Sequence, residues 1–311
     1  MDSIFDYLDW RGDLTFAQDG LNEVDSLAFS ALAYVEFDGI VPRETDALPL
    51  PLWKAAKLVD AQNRGPSPID DYPFFKELPA MLRKAAASKR FCDVTLRGYV
   101  NQVDFDRATQ FSAIVFSLSD DLHFIAFRGT DDTIAGWKED FQMSFLDEVP
   151  AQRQAVAYLN EASLNLSGRF YLGGHSKGGN LAVYAGIHLP EEERDRVTAI
   201  YSNDAPGFQM SVVNSEGYCS MLGKIHTFLP KSSVVGMLLE HGEEYKVVGS
   251  SGAGIFQHNP FSWEVRGPRF VYEEELTRTS RDFDSALRSW LGRLSIEQRI
   301  QFVDALFEII Q

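Results

Sequence analysis

Cysteine is scarce, with only Cys92 and Cys219 in 311 residues. They can form at most one bridge and lack metal-ligand spacing, which excludes a disulfide-stapled scaffold and a thiolate metal site; both are expected as buried free thiols. Long apolar runs are also lacking. Nothing approaches the about 18 consecutive apolar residues of a membrane-spanning helix, so stable membrane insertion is not expected. Positive charge is in deficit, with Lys+Arg 29 against Asp+Glu 45 and a net charge of -16. A surface of that sign repels nucleic acid and anionic membranes, and no local basic patch offsets it. The first residues, Met1-Asp2-Ser3-Ile4-Phe5-Asp6, are acidic where a secretory leader is basic, so the expected location is cytoplasmic. No pattern fixes the oligomeric state.

What is present is a chain rich enough in apolar residues, 45%, to bury a large core. Leu27, Ala31 and Tyr34 recur at helical spacing, and Val41-Pro42 ends that segment. Between Ala47 and Lys89 six prolines leave room for two modest helices, around 52–62 and 74–88, with a loop at 63–68. This stretch is either a cap or a plain helical flank of the core. As a cap it would cover an apolar acyl pocket with Leu50, Leu52, Trp53, Phe74, Phe75, Leu78 and Leu82. From Arg90 the texture turns to β, with runs at 94–100, 111–118 and 123–127, the last two joined as an antiparallel hairpin. A helical stretch around 150–164 leads to a strand ending at Ser176, and further strands follow at 197–203, 224–229 and 244–248. Strand, helix, strand spacing implies βαβ units and a mostly parallel central sheet flanked by helices, an α/β fold. One domain over 1–311 is expected, with 43–90 the candidate cap. The carboxyl end reads as a helix with Ile300, Val303, Leu306 and Ile310 on one stripe.

Tyr171-Leu172-Gly173-Gly174-His175-Ser176-Lys177-Gly178-Gly179 joins a short apolar run to a helical pattern in which Leu181, Tyr184, Ala185 and His188 share one face. That is the context in which G-x-S-x-G forms a nucleophile elbow of an α/β-hydrolase fold. The serine must sit on a tight turn, and Gly174 and Gly178 remove the Cβ atoms that would collide there. The N–H of Lys177 lies at the helix amino terminus, where free donors and the dipole favour a developing oxyanion.

A serine hydroxyl needs a general base, and the base an orienting carboxylate. Of the six histidines, His175 adjoins the nucleophile too closely to turn back on it. His188 lies about 18 Å along the following helix at about 1.5 Å per residue. His123 and His226 belong to strands and read as packed or surface residues. His258, in the loop Phe256-Gln257-His258-Asn259-Pro260, meets the order nucleophile, acid, histidine, with His241 the rival. For the acid, Asp204 immediately follows the strand after the elbow helix, at a strand's carboxyl end, where active-site groups gather in open α/β sheets. Its alternatives are a turn-forming role in Asp204-Ala205-Pro206-Gly207, an acid at Glu240, Glu243 or Glu244, or no acid at all.

These residues together resemble the lipase branch of the α/β-hydrolases, in particular class 3 lipases and a bacterial family of lipase-like proteins. The resemblance rests on Ala126-Phe127-Arg128-Gly129-Thr130, on Gly136-Trp137-Lys138-Glu139-Asp140-Phe141, and on Gly174-His175-Ser176-Lys177-Gly178-Gly179. It extends to Asp204-Ala205-Pro206-Gly207-Phe208 and Gln257-His258-Asn259-Pro260-Phe261-Ser262-Trp263. It implies that Thr130 supplies a second oxyanion-hole donor beside Lys177. One departure stands out: class 3 lipases carry the acid after a later strand, where this chain reads Lys231-Ser232-Ser233-Val234-Val235-Gly236 without a carboxylate. The activity implied is hydrolysis of a carboxylic ester or thioester through an acyl-enzyme, with Ser176, His258 and Asp204 as the triad and a small acyl ester or lipid-like substrate. No metal or organic cofactor is called for. The alternative is a lipase-fold binding or scaffold protein without turnover.

Overall fold

Strands form where β-branched and aromatic residues alternate between two faces, and the run His123-Phe124-Ile125-Ala126-Phe127 shows the pattern at its clearest. Phe124 and Ala126 enter one hydrophobic layer, while Ile125 and Phe127 enter the other. The sheet is therefore buried on both sides. In the computed structural model, residues 2–62, 72–104, 109–130 and 148–282 are described, with isolated positions at 143, 146, 289, 293–295 and 298.

Among the described residues the sheet has nine strands in the order β1-β2-β3-β4-β5-β6-β7-β8-β11. These are β1 (Leu50–Pro51), β2 (Thr95–Asp104), β3 (Thr109–Ser119), β4 (Leu122–Phe127), β5 (Arg169–His175), β6 (Val197–Asn203), β7 (Ile225–Pro230) and β8 (Tyr245–Val248). A ribbon of β9 (Val265–Arg266) and β10 (Arg269–Phe270) then precedes β11 (Tyr272–Glu273) at the far edge. Strands β4 to β8 pair in parallel; β1 to β4 and β8 with β11 pair antiparallel. This is an α/β-hydrolase-type fold, a parallel centre with antiparallel flanks.

Helices cover both faces. On one side lie α1 (Ile4–Arg11), α2 (Glu23–Leu32), α3 (Leu52–Gln62) and α4 (Pro73–Ala87), with Phe29 stacked on Phe124 at 4.9 Å between centroids. A buried pair, Arg90 and Asp25 at 2.6 Å, ties α2 to the chain after α4, and Tyr7 donates to the same carboxylate at 2.8 Å. On the other side lie α5 (Pro150–Asn165) and α6 (Lys177–Ile187). The stripe expected on α6 gives way to burial on every side, because α6 is the crossover between two central strands and is itself covered by α5.

The segment expected as cap or flank divides by residue. Leu52, Leu78 and Leu82 are buried in the core, and Phe74 and Phe75, at the start of α4, are only partly buried against it, lying against Tyr34 at 4.7 and 5.9 Å between ring centroids. Residues 63–71 and the motif at 136–141 lie outside the described residues, as does the carboxyl-terminal stripe. Both cysteines are free, but Cys219 is exposed and Cys92 half-buried, a correction to the expected burial. No described helix is long and apolar enough to cross a membrane.

Candidate active site

Ser176 follows β5 with φ 57 and ψ -137, a conformation that costs an L-residue about 1–3 kcal/mol. The flanking glycines make the turn possible. A Cβ on Gly174 would sit 2.2 Å from the carbonyl carbon of Gly178, and one on Gly178 would sit 2.1 Å from the Phe127 oxygen. The Ser176 N–H donates to the Asn203 carbonyl at 2.9 Å, and its own carbonyl accepts from Gly179 at 2.9 Å. The nucleophile candidate is thereby pinned between β5 and β6, with Lys177 opening α6. Arg128-Gly129-Thr130, leaving β4, runs alongside: a Cβ on Gly129 would meet Ser176 Cβ at 3.1 Å and the Tyr34 hydroxyl at 2.2 Å.

Asp204 leaves β6 with φ 48, fully buried, and its carboxylate is met on both oxygens. Oδ2 lies 2.6 Å from His258 Nδ1. Oδ1 accepts from Ser233 Oγ at 2.5 Å and from the Gly236 N–H at 3.2 Å. Both donors come from the segment after β7 that lacks a carboxylate. The loop after β7 thus forms a cradle for the Asp204 carboxylate. From the other side, Asn180 donates to the carbonyls of Pro206 and Gly207 at 3.1 and 2.8 Å and accepts from Gln152 at 2.9 Å.

His258 ends a 3-10 turn over Gly254–His258 and keeps 29% of its side chain exposed. Its Nδ1 is committed to Asp204, which leaves Nε2 for a hydroxyl. Ser176 Oγ and His258 do not form a hydrogen bond in the structure, so the geometry brings Asp204 and His258 together and leaves the step from His258 to Ser176 open. A second tether holds His258: His175 Nε2 donates to its backbone carbonyl at 2.8 Å. A carbonyl can only accept, so the His175 proton is on Nε2. Burial, then the neighbouring His258, keeps His175 neutral, far below the usual imidazole range. This role of His175 has no signal in the linear sequence.

The remaining histidines go elsewhere. His123 meets Ser117 Oγ at 2.8 Å and the Ser167 carbonyl at 3.0 Å; His188 meets the Tyr184 carbonyl at 2.8 Å; His226 stacks on Tyr201 at 5.4 Å. His241 pairs with Glu243 at 3.1 Å and is not brought to Ser176. Of the rival acids, Glu240 bridges by its backbone to Phe208 and Glu244 faces solvent.

Comparison with solved structures returns lipases at low identity. The Rhizomucor miehei lipase propeptide complex is 19% identical, with a TM-score of 0.37, over 50% of this chain and 57% of that one. The chain thus spans less than two thirds of that lipase. A fungal lipase–inhibitor complex is 15% identical, with a TM-score of 0.43, over 72% of this chain and 76% of that one. M37 lipase is 14% identical, with a TM-score of 0.38, over 69% of each chain. No curated protein matches the chain. A family model described as Mbeg1-like matches residues 85–308, a span that holds most of the sheet, the elbow, Asp204 and His258, and the chain therefore belongs to the Mbeg1-like family.

Proposed function

We propose that this protein is a serine hydrolase that cleaves carboxylic esters or thioesters by way of an acyl-enzyme. The observation that carries the reading is the 2.6 Å contact between His258 Nδ1 and the buried Asp204, set beside a serine on a strained elbow. In the proposed reaction Ser176 Oγ attacks the acyl carbonyl while His258 Nε2 takes its proton, and Asp204 stabilises the imidazolium. The oxyanion of the tetrahedral intermediate faces the N–H groups of Lys177 and Thr130. Collapse expels the alcohol or thiol, which takes the proton from His258. Water, deprotonated by the same nitrogen, then releases the acid.

The open Ser176–His258 step is compatible with turnover, because such contacts often tighten only with substrate present. The same opening supports a second reading, a lipase-fold binding protein without turnover. Phe74 and Phe75 are the residues by which α4 would act as a cap over an acyl chain, since Phe74 lies against His175 and Phe261 and Phe75 packs on Phe74. A fluorophosphonate probe read by mass spectrometry separates the two readings. Wild-type protein should be labelled on Ser176 and hydrolyse short p-nitrophenyl esters, and Ser176→Ala should lose both. An unlabelled wild type would support the binding protein, and undiminished labelling of the variant would move the nucleophile elsewhere.

A further inference from the structure

Behind Asp204 lies a second histidine–carboxylate pair that the proposed acyl transfer does not use. His241 and Glu243, with side chains 9% and 4% exposed, precede β8. Glu243 accepts from His241 Nδ1 at 3.1 Å, from Thr227 Oγ1 at 2.5 Å and from the Tyr218 hydroxyl. Burial alone would raise its carboxyl, but these donors outweigh burial and hold it at about 2. Glu243 is thus an ionised, pure acceptor at neutral pH. The other ring nitrogen of His241, Nε2, lies 2.8 Å from the Gly236 carbonyl oxygen, again a pure acceptor. A ring between two acceptors donates from both nitrogens, so it carries two protons and a positive charge.

Gly236 is the same residue whose N–H meets Asp204 Oδ1 at 3.2 Å and Ser233 Oγ at 3.0 Å. The approach is close enough that a Cβ there would lie 2.6 Å from Asp204 Oδ1 and 2.3 Å from Leu229 Cδ2. A continuous chain therefore runs from Glu243 through His241 and Gly236 to Asp204 and His258. We infer that His241 is a positioning residue, a resident imidazolium whose grip on the Gly236 carbonyl fixes the 233–236 loop so that Asp204 presents Oδ2 to His258. The inference rests on the acyl-transfer reading of Ser176, Asp204 and His258. Around the ring stand Glu243, the Tyr218 hydroxyl on the far side of that carboxylate, and Tyr245 with its ring 6.3 Å away, with Glu240 adjacent in sequence.

The test uses the full chain and two readouts. In nitrogen-15 NMR at about pH 7.5, the His241 resonances, assigned by their loss in His241→Asn, should show both ring nitrogens protonated, where an ordinary histidine of pKa about 6.5 is mostly neutral. Glu243→Gln should make the ring neutral. In ester hydrolysis, His241→Asn and Glu243→Gln should each lower kcat about tenfold or more and leave KM within about twofold. A neutral His241 ring in the wild type, or wild-type kcat in either folded variant, overturns the proposal. If the wild type hydrolyses nothing, it is the acyl-transfer reading that fails, and the positioning role is read from the downfield His258 Nδ1 proton. Loss of that signal in His241→Asn supports the role, and an unchanged signal overturns it.

Discussion

At the scale of one residue, Asp204 combines a left-handed backbone, φ 48, with a carboxylate that no solvent reaches and three donors that face it. An aspartate that only shaped a turn would not need a histidine partner. Asn fits the same backbone conformation and can still accept from Ser233 and Gly236 through its oxygen. Its amide nitrogen, however, would donate to His258 Nδ1, which forces the ring proton onto Nε2 and leaves no base for Ser176. Asp204→Asn is therefore expected to keep thermal stability near wild type and to lower kcat by about 10⁴, as in other triads. Steady-state kinetics with a thermal melt checks this. A loss below about tenfold in a stable variant would remove Asp204 from the role of acid.

At the scale of the element, the elbow is held open by the absence of two side chains, and the surrounding atoms are backbone that cannot swing away. Gly178→Ala would place its methyl 2.1 Å from the Phe127 oxygen, between β4 and the start of α6. Overpacking of this kind costs about 1–3 kcal/mol or more. Gly223→Ala, with nothing within 4 Å of the added atom, should leave the denaturant midpoint unchanged, while Gly178→Ala lowers it or yields no folded protein. Equal midpoints would reject the close-packed elbow. The elbow was legible because its signals are local: a strand, two glycines and a helix within a dozen residues. So were the strands from β2 to β8 and the pair of helices α3 and α4, whose prolines and apolar periods lie in one stretch of chain. The support of Asp204 was not legible. Ser233, Gly236, His241 and Glu243 reach it only through the packing of β6 against β7, and no period links residue 204 to residue 236. The stripe read on α6 named only part of what that helix buries, since a crossover helix covered by both sheet and α5 is buried all round.

At the scale of the whole molecule, the candidate site draws on the carboxyl ends of β4, β5, β6 and β7 and on the 254–258 turn, so every catalytic candidate sits at one edge of the sheet. The opposite edge carries a buried histidine of another kind. His123, the second residue of β4, is 2% exposed and places its two ring nitrogens on Ser117 Oγ and the Ser167 carbonyl, a pairing that suits a neutral ring. Burial, with Arg97 and Arg196 nearby, lowers its pKa below the ordinary 6.5. The sign follows from proton counting: below about pH 6.5 the unfolded chain binds a proton at this residue that the folded chain refuses, so acid favours unfolding. Above that pH both states are neutral there and the contribution vanishes. The slope for one such group approaches about 1.4 kcal/mol per pH unit until the folded pKa is reached. His123→Gln keeps a donor and an acceptor but cannot titrate, and its distance from Ser176 leaves the site untouched. Urea unfolding of both proteins at about pH 8 and at about pH 5.5 should then show the stability difference moving toward the variant in acid. A difference that stays constant with pH would mean that His123 takes up its proton alike in the folded and the unfolded chain, and that its two partners do not hold a neutral ring.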